Sequence, residues 1–239
     1  MKNFLVILFL FGFVSIYAQR RPVLNTPKYD RQPYHFGFTI GLNRMDFNIR
    51  NSPLVLALNP NGSFVSDSIY SVECIKQAGF HLGIVGNLRL ARYFDFRFLP
   101  AITFGQRNLE FLIRTPTGFK TKVMRIESTF IELPFLFKYK AKRVKNYRPY
   151  IISGITNRID LASQKKVKEA EKPKLRLEPI DWYYDIGFGI DYYFYFFKLS
   201  TEIKYSIGLR DIMKRDASQY SGMIERMSSN LLIVSFHFE

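Results

Sequence analysis

Apolar and polar residues alternate with a period of two through much of this chain. Between residues 94 and 104, Phe94, Phe96, Phe98, Ile102 and Phe104 share one side, broken only by Pro100. The other side carries Asp95, Arg97, Leu99, Ala101, Thr103 and Gly105. A period of two is that of a β-strand with two unlike faces. This strand is expected to run on to about Arg107. Residues 34–43 set Phe36, Phe38, Ile40 and Leu42 against His35, Gly37, Thr39 and Gly41. Residues 77–90 set Phe80, Leu82, Ile84, Leu88 and Leu90 against His81, Gly83, Asn87 and Arg89. Ile131, Leu133, Phe135, Phe137 and Tyr139 oppose Glu132, Pro134 and Lys138. Residues 148–159 alternate least cleanly. Residues 182–194 oppose Tyr184, Ile186, Phe188, Ile190 and Tyr192 to Asp185, Gly187, Gly189 and Asp191. Residues 197–209 oppose Leu199, Ile203, Tyr205 and Ile207 to Lys198, Ser200, Glu202, Lys204 and Gly208. A last strand carries Leu232, Val234, Phe236 and Phe238.

The eight expected strands are joined by short and long connections in turn. The short ones lie around residues 91–93, 141–147 and 195–196; the long ones are residues 44–76, 108–122, 160–181 and 210–229. Outer-membrane barrels have short periplasmic turns and longer outer loops. The expected fold is therefore all-β: an eight-stranded antiparallel transmembrane β-barrel with short periplasmic turns and long extracellular loops, and both termini periplasmic.

Alternation alone also fits a soluble barrel with its apolar face inward. Three features favour apolar-out. Glycines at 37, 41, 83, 187, 189 and 208 fall on the polar face, where they suit a crowded interior and would weaken a solvent-exposed strand. Aromatics, 17% of the chain, gather at strand ends: Tyr34, Tyr93, Phe94, Tyr139, Tyr150, Trp182, Tyr183, Tyr192, Tyr193 and Tyr195. Such a girdle marks the lipid–water interface. The chain also finishes on the aromatic strand with Phe236 and Phe238, as outer-membrane barrels do, with Glu239 added. On this reading the lumen holds Arg89, Asp95, Arg97, Arg107, Glu132, Lys138, Asp185, Asp191, Glu202 and Lys204, with His35 and His81. Buried charges must pair to offset desolvation, so a closed, salt-bridged interior is expected.

The N-terminus reads Met1-Lys2-Asn3, then an apolar run from Phe4 to Val14, then Ala18-Gln19. This is the form of a signal peptide over residues 1–18, too short for a spanning helix. Residues 19–33 read as a proline-dotted periplasmic lead-in, either a tail or plug-like, and residues 34–239 as the barrel. The one cysteine, Cys74, makes no intrachain disulfide and reads as a loop residue. The net charge of +15 points to an anionic partner, and export argues against nucleic acid. One basic cluster, Lys138, Lys140, Lys142, Arg143, Lys145 and Arg148, covers a short turn. It reads first as interface anchoring and second as a site for phospholipid headgroups or an acidic protein. Another, residues 165–176, reads either as a site for lipopolysaccharide phosphates or as a solvated loop.

No GxSxG, HExxH, P-loop or CxxC motif occurs. His35, His81 and His237 are too scattered for a metal site, and Asp181 with Asp185 makes no dyad. A pairing of His81 with a serine from another strand is conceivable, but no particular serine is singled out. The expectation is no catalytic, cofactor-binding or metal site, and no enzyme.

The run Phe130-Ile131-Glu132-Leu133-Pro134-Phe135-Leu136-Phe137-Lys138-Tyr139 resembles a strand of small outer-membrane barrels of the PorT family. Tyr147-Arg148-Pro149-Tyr150 with Gly154, residues 184–194, and residues 198–205 are similar to the strands that follow it there. The Glu-Leu-Pro strand is shared across the porin-like superfamily. The resemblance implies an eight-stranded barrel with no transferable catalytic residues, needed for type IX protein secretion and in some cells gliding. It implies action through contacts with other secretion proteins, besides outer-membrane lipid and lipopolysaccharide. The alternative is a general small barrel for adhesion, envelope stability or lipopolysaccharide contact.

Overall fold

The structure is a computed structural model and describes residues 24–51, 68–115, 118–162, 176–214 and 224–239. The expected signal peptide and most of the basic segment 165–176 lie outside the described residues. A short 3-10 turn, Tyr29–Arg31, precedes the strands. These are β1 (Tyr34–Asn51), β2 (Ser68–Lys76), β3 (Ala78–Arg89), β4 (Phe94–Phe98), β5 (Ala101–Thr115) and β6 (Gly118–Lys140). There follow β7 (Tyr147–Asp160), β8 (Arg176–Leu177), β9 (Ile180–Tyr193), β10 (Lys198–Gly208), β11 (Met213–Lys214) and β12 (Ile224–Phe238).

The sheet closes on itself. Its antiparallel order runs from β1 through β12, β10, β9, β7 and β6 to β4 and β5, then to β3 and β2, and β3 pairs back onto β1. β2 and β3 are one stave interrupted at Gln77, and β4 and β5 are one stave interrupted at Leu99 and Pro100. The ring therefore has eight staves. The β1–β3 pairing, from Tyr34 to Arg44, closes the sheet over the apolar band, where hydrocarbon would leave a free edge unsatisfied. The β8–β11 pair ties two of the longer connections together at the end away from the short turns.

Proline cannot donate to a ladder. Pro100 sits in the gap between β4 and β5, and the paired register skips the stretch of β6 that faces it: Phe98 pairs with Phe135 and Ala101 with Glu132, leaving Leu133 and Pro134 between. Both prolines thus occupy one irregular seam, and the missing N–H groups leave no ladder position vacant there. The Pro100 carbonyl accepts from the Ile84 amide at 2.9 Å. It comes so close that a Cβ on Gly83 would lie 2.6 Å from it.

The faces divide as the alternation predicts. Phe36, Phe38, Ile40, Leu42, Leu82, Ile84, Phe135, Phe137, Phe188 and Ile203 point outward and exposed; Asp95, Arg97, Glu132, Lys138, Asp185, Asp191 and Glu202 point inward and buried. This is the reverse of a soluble protein. Along β1 the outward apolar run from Tyr34 to Leu42, at about 3.3 Å per residue and a tilt of about 40°, stands roughly 20–25 Å tall. That matches the apolar band of outer-membrane barrels.

The strands outrun this band, and beyond it their polarity inverts. On β1 the outward positions become Arg44, Asp46 and Asn48, while Met45 and Phe47 turn inward. β5 changes from outward Ile102 and Phe104 to outward Gln106 and inward Leu109 and Phe111. Phe47, Val72, Leu109, Phe111, Ile212, Met213, Ile224 and Met227 form one buried apolar cluster there. Past the apolar band the β1–β12 pair and the β2–β5–β6 sheet continue and enclose an apolar core, as in a soluble protein.

This corrects several boundaries. Residues 108–122 form no loop: β5 and β6 stay paired up to Thr115 opposite Gly118. The first strand continues to Asn51, and Cys74 lies in β2, not in a loop, half-buried against the apolar cluster. Residues 148–159, the least regular in sequence, form an ordinary stave in β7. Their pattern is blurred because Tyr150 and Ile152 face inward.

Candidate functional site

The sequence places charges on the inner face, and closure brings them into one network. Near the short-turn end, the Arg97 guanidinium donates to Glu239 at 2.7 Å and to Glu202 at 3.3 Å. Lys198 Nζ donates to the other Glu239 oxygen at 2.7 Å. Lys138 donates to both Asp191 oxygens at 2.7 and 2.8 Å, and Ser200 Oγ donates to Asp191 at 2.6 Å. Lys140 pairs with Asp95 at 2.6 Å. Tyr150 donates to Glu202 at 2.9 Å, and Lys138 Nζ lies 3.5 Å from the Tyr150 ring centroid. Toward the middle, Arg158 Nε donates to Glu132 at 2.9 Å, Lys204 pairs with Asp185 at 3.4 Å, and Thr156 donates to Asp185 at 2.6 Å. Farther along, Arg107 donates to Ser229 at 2.7 Å and to Ser128, under the Phe47 ring.

The interior is filled. Arg97, Arg107, Arg158 and Lys138 are among its largest fully buried side chains. A lumen cavity of about 10 Å3 is lined by His81, His237, Glu132, Glu202 and Lys204 among others. It is about the size of one water molecule. The apolar cluster closes one end. The lead-in closes the other: Tyr29 stacks on His35 with ring centroids 4.0 Å apart, and its hydroxyl donates to Glu239 at 3.3 Å. Burial, and the Glu239 carboxylate beside it, push the Tyr29 phenol well above its ordinary pKa, so it stays a donor. Asp30 accepts from Arg148 at 3.0 Å and from Tyr193 at 2.7 Å, and Arg143 lies 3.5 Å away. Residues 29 and 30 of the lead-in are packed against the mouth of the barrel at this end.

Most expected lumen residues are where the alternation put them. Arg89 is not: it sits half-buried at the rim, beside the short turns. Three aromatics assigned to the interfacial girdle, Tyr150, Tyr183 and Tyr193, are buried inside instead. Each is one residue out of phase with an outward neighbour such as Trp182 or Tyr192, and in a strand one residue changes the face. The basic cluster also splits. Lys138, Lys140 and Arg148 point into the barrel and pair with acids, so only part of it can anchor at the interface. Sequence reasoning missed Arg158, Asp160, Asp181, Lys198 and Glu239 as interior residues. All share the parity of inward neighbours; Glu239 follows the outward Phe238.

His81 Nε2 lies 3.3 Å from Ser235 Oγ and 3.5 Å from Thr39 Oγ1. Its Nδ1 has no hydrogen-bond partner in the structure, so nothing orients the ring as a base in a triad would require. Asp181 and Asp185 share the inner face but have separate partners, the Trp182 amide and Lys204 with Thr156. Among the described residues no group of three His, Cys, Asp or Glu side chains could hold a metal ion.

A closed ring of eight staves, apolar outside and ion-paired inside, is a membrane β-barrel. The family model for the outer membrane protein beta-barrel domain matches residues 17–214, and the chain belongs to that family. The protein is thus an outer-membrane β-barrel. Among solved structures, the outer membrane protein OprG from Pseudomonas aeruginosa is similar at a TM-score of 0.43 and 10% sequence identity, over 86% of this chain and 92% of that one. A search among curated proteins returned no match.

Proposed function

We propose that this barrel is a contact component of protein export across the outer membrane, of the type IX kind, and works neither as a pore nor as a catalyst. The filled lumen carries this reading: side chains occupy the interior, an apolar cluster stops one end and the lead-in stops the other. A wall without a passage acts through what its two ends touch. The resemblance of the Glu132-Leu133-Pro134 strand to PorT barrels supports secretion as the process. In this reading the short turns and both chain ends face the periplasm. The partners are other secretion proteins, with lipopolysaccharide around the long-connection end. Deleting the gene should strand secreted cargo in the periplasm, detected by fractionation. Normal export from the deletion strain would overturn the assignment.

A general envelope role is the second reading. The strand extensions favour it, because they carry Arg44, Arg50 and Arg125 outward just beyond the apolar band, at the height of lipopolysaccharide phosphates and sugars. In that case the deletion strain would export normally and lose resistance to detergents.

A further inference from the structure

A recess at the short-turn end is not explained by the lumen. It lies between the β3–β4 turn, the β6–β7 turn and the lead-in, with a volume of about 220 Å3. Arg31, Arg89, Arg92, Lys142, Arg143 and Arg148 line it, with Asp30 the one carboxylate among the lining residues. Asp30 is already engaged by Arg148, Arg143 and Tyr193. Arg143 and Arg148 are held further by the carbonyls of Asn25 and Ala141. Among the described residues, no carboxylate comes within ion-pair distance of Arg31, Arg89, Arg92 or Lys142. Like charges gathered without a counterion repel, and the arrangement is stable when an anion completes it.

The position of the recess selects the anion. The Arg89 amide donates to the Pro33 carbonyl at 2.8 Å, which fixes the lead-in against the foot of β3. Just beside it Leu90 and Phe94 are exposed on the outer wall, with Tyr139 packed against Phe94 at 4.9 Å between centroids. Arg92 lies 5.4 Å from the Tyr93 ring centroid. Cations with aromatic rings at the lower edge of an apolar band are the environment of a lipid headgroup. Free phosphate would satisfy the recess and leave the wall unused. An acidic polypeptide would satisfy the charges without contacting the band. We propose that the recess binds the phosphate of an anionic membrane lipid, with the acyl chains along Leu90 and Phe94. The proposal does not depend on a role in secretion.

The test uses the full chain in neutral maltoside micelles, with retained lipid counted by native mass spectrometry. Phosphatidylglycerol should be retained at least about tenfold better than phosphatidylcholine. The variant Arg89→Gln/Arg92→Gln/Lys142→Gln should lose that preference while keeping the heat-modifiable gel mobility of a folded barrel. The single change Arg92→Gln, at an exposed turn position, should weaken it even if the triple variant folds poorly. Arg44→Gln/Arg125→Gln, beyond the opposite edge of the band, should leave it intact. Equal retention of the two lipids, or an unchanged preference in both recess variants, would overturn the proposal. So would displacement of phosphatidylglycerol by inorganic phosphate or polyglutamate at matched anion concentration, each of which would point to its own source instead.

Discussion

Arg97 shows what a single residue carries in this barrel. Its side chain is wholly buried and touches Glu239, Glu202 and Asn87. Such a group is stable only through its partners, because a buried charge without one costs several kcal/mol. Arg97→Ala should lower unfolding stability by about 3–5 kcal/mol, since two carboxylates lose a donor. Urea titration in micelles, followed by gel mobility, reads the change. The Lys138–Asp191 pair allows a sharper comparison. Lys138→Met alone should be strongly destabilising, while Lys138→Met with Asp191→Leu should recover much of the loss. A double-variant cost equal to the sum of the Lys138→Met and Asp191→Leu costs would show that the two charges are not coupled. Sequence parity assigned both residues to the lumen; their pairing across β6 and β9 depends on closure.

At the scale of the strand, the decisive feature is the inversion of polarity at the edge of the apolar band. Its trace is in the sequence. On β1 the apolar residues move from even positions, ending at Leu42, to odd positions from Met45, and β5 shifts between Phe104 and Leu109. Read as an end of alternation, this shift looks like the start of a loop, which is why residues 44–76 and 108–122 read as connections. It is instead a change of solvent around an uninterrupted strand. The two regions should respond differently to the same truncation. Phe47→Ala opens a cavity in the buried cluster and should cost about 3 kcal/mol or more. Phe36→Ala, on the lipid face, should cost less than half as much, because acyl chains fill the space it leaves. Equal costs in urea titration would mean that the long-connection end is not a packed core.

For the whole molecule, closure determines what can pass. An eight-stranded barrel is about wide enough for its own side chains. Here those side chains are ion-paired, and large ones such as Arg97, Arg158 and Tyr150 meet across the space. Glycine makes this possible at the tightest points: a Cβ on Gly189 would collide with the Tyr150 phenol and lie 2.7 Å from the Thr201 carbonyl. The purified protein should show no stepwise conductance in planar bilayers. It should stay silent with Tyr29 and Asp30 both changed to Ala, because the Arg97–Glu239–Lys198 layer lies behind the lead-in. Ion-sized steps in either protein would contradict a filled lumen.

The sequence by itself determined the strands within the apolar band, their number and, where the alternation is clean, which residues share a face, because a period of two is a local property of the backbone. It also located the short turns and the polar character of the lumen. Only the tertiary structure decided which charges meet, that Tyr150, Tyr183 and Tyr193 belong inside, and that Lys140 and Arg148 leave the basic cluster for acids on other segments. The cationic recess is likewise tertiary, since two turns and the lead-in, far apart in the chain, build it together. Pairing depends on register and closure between strands distant in sequence, and no local pattern encodes either.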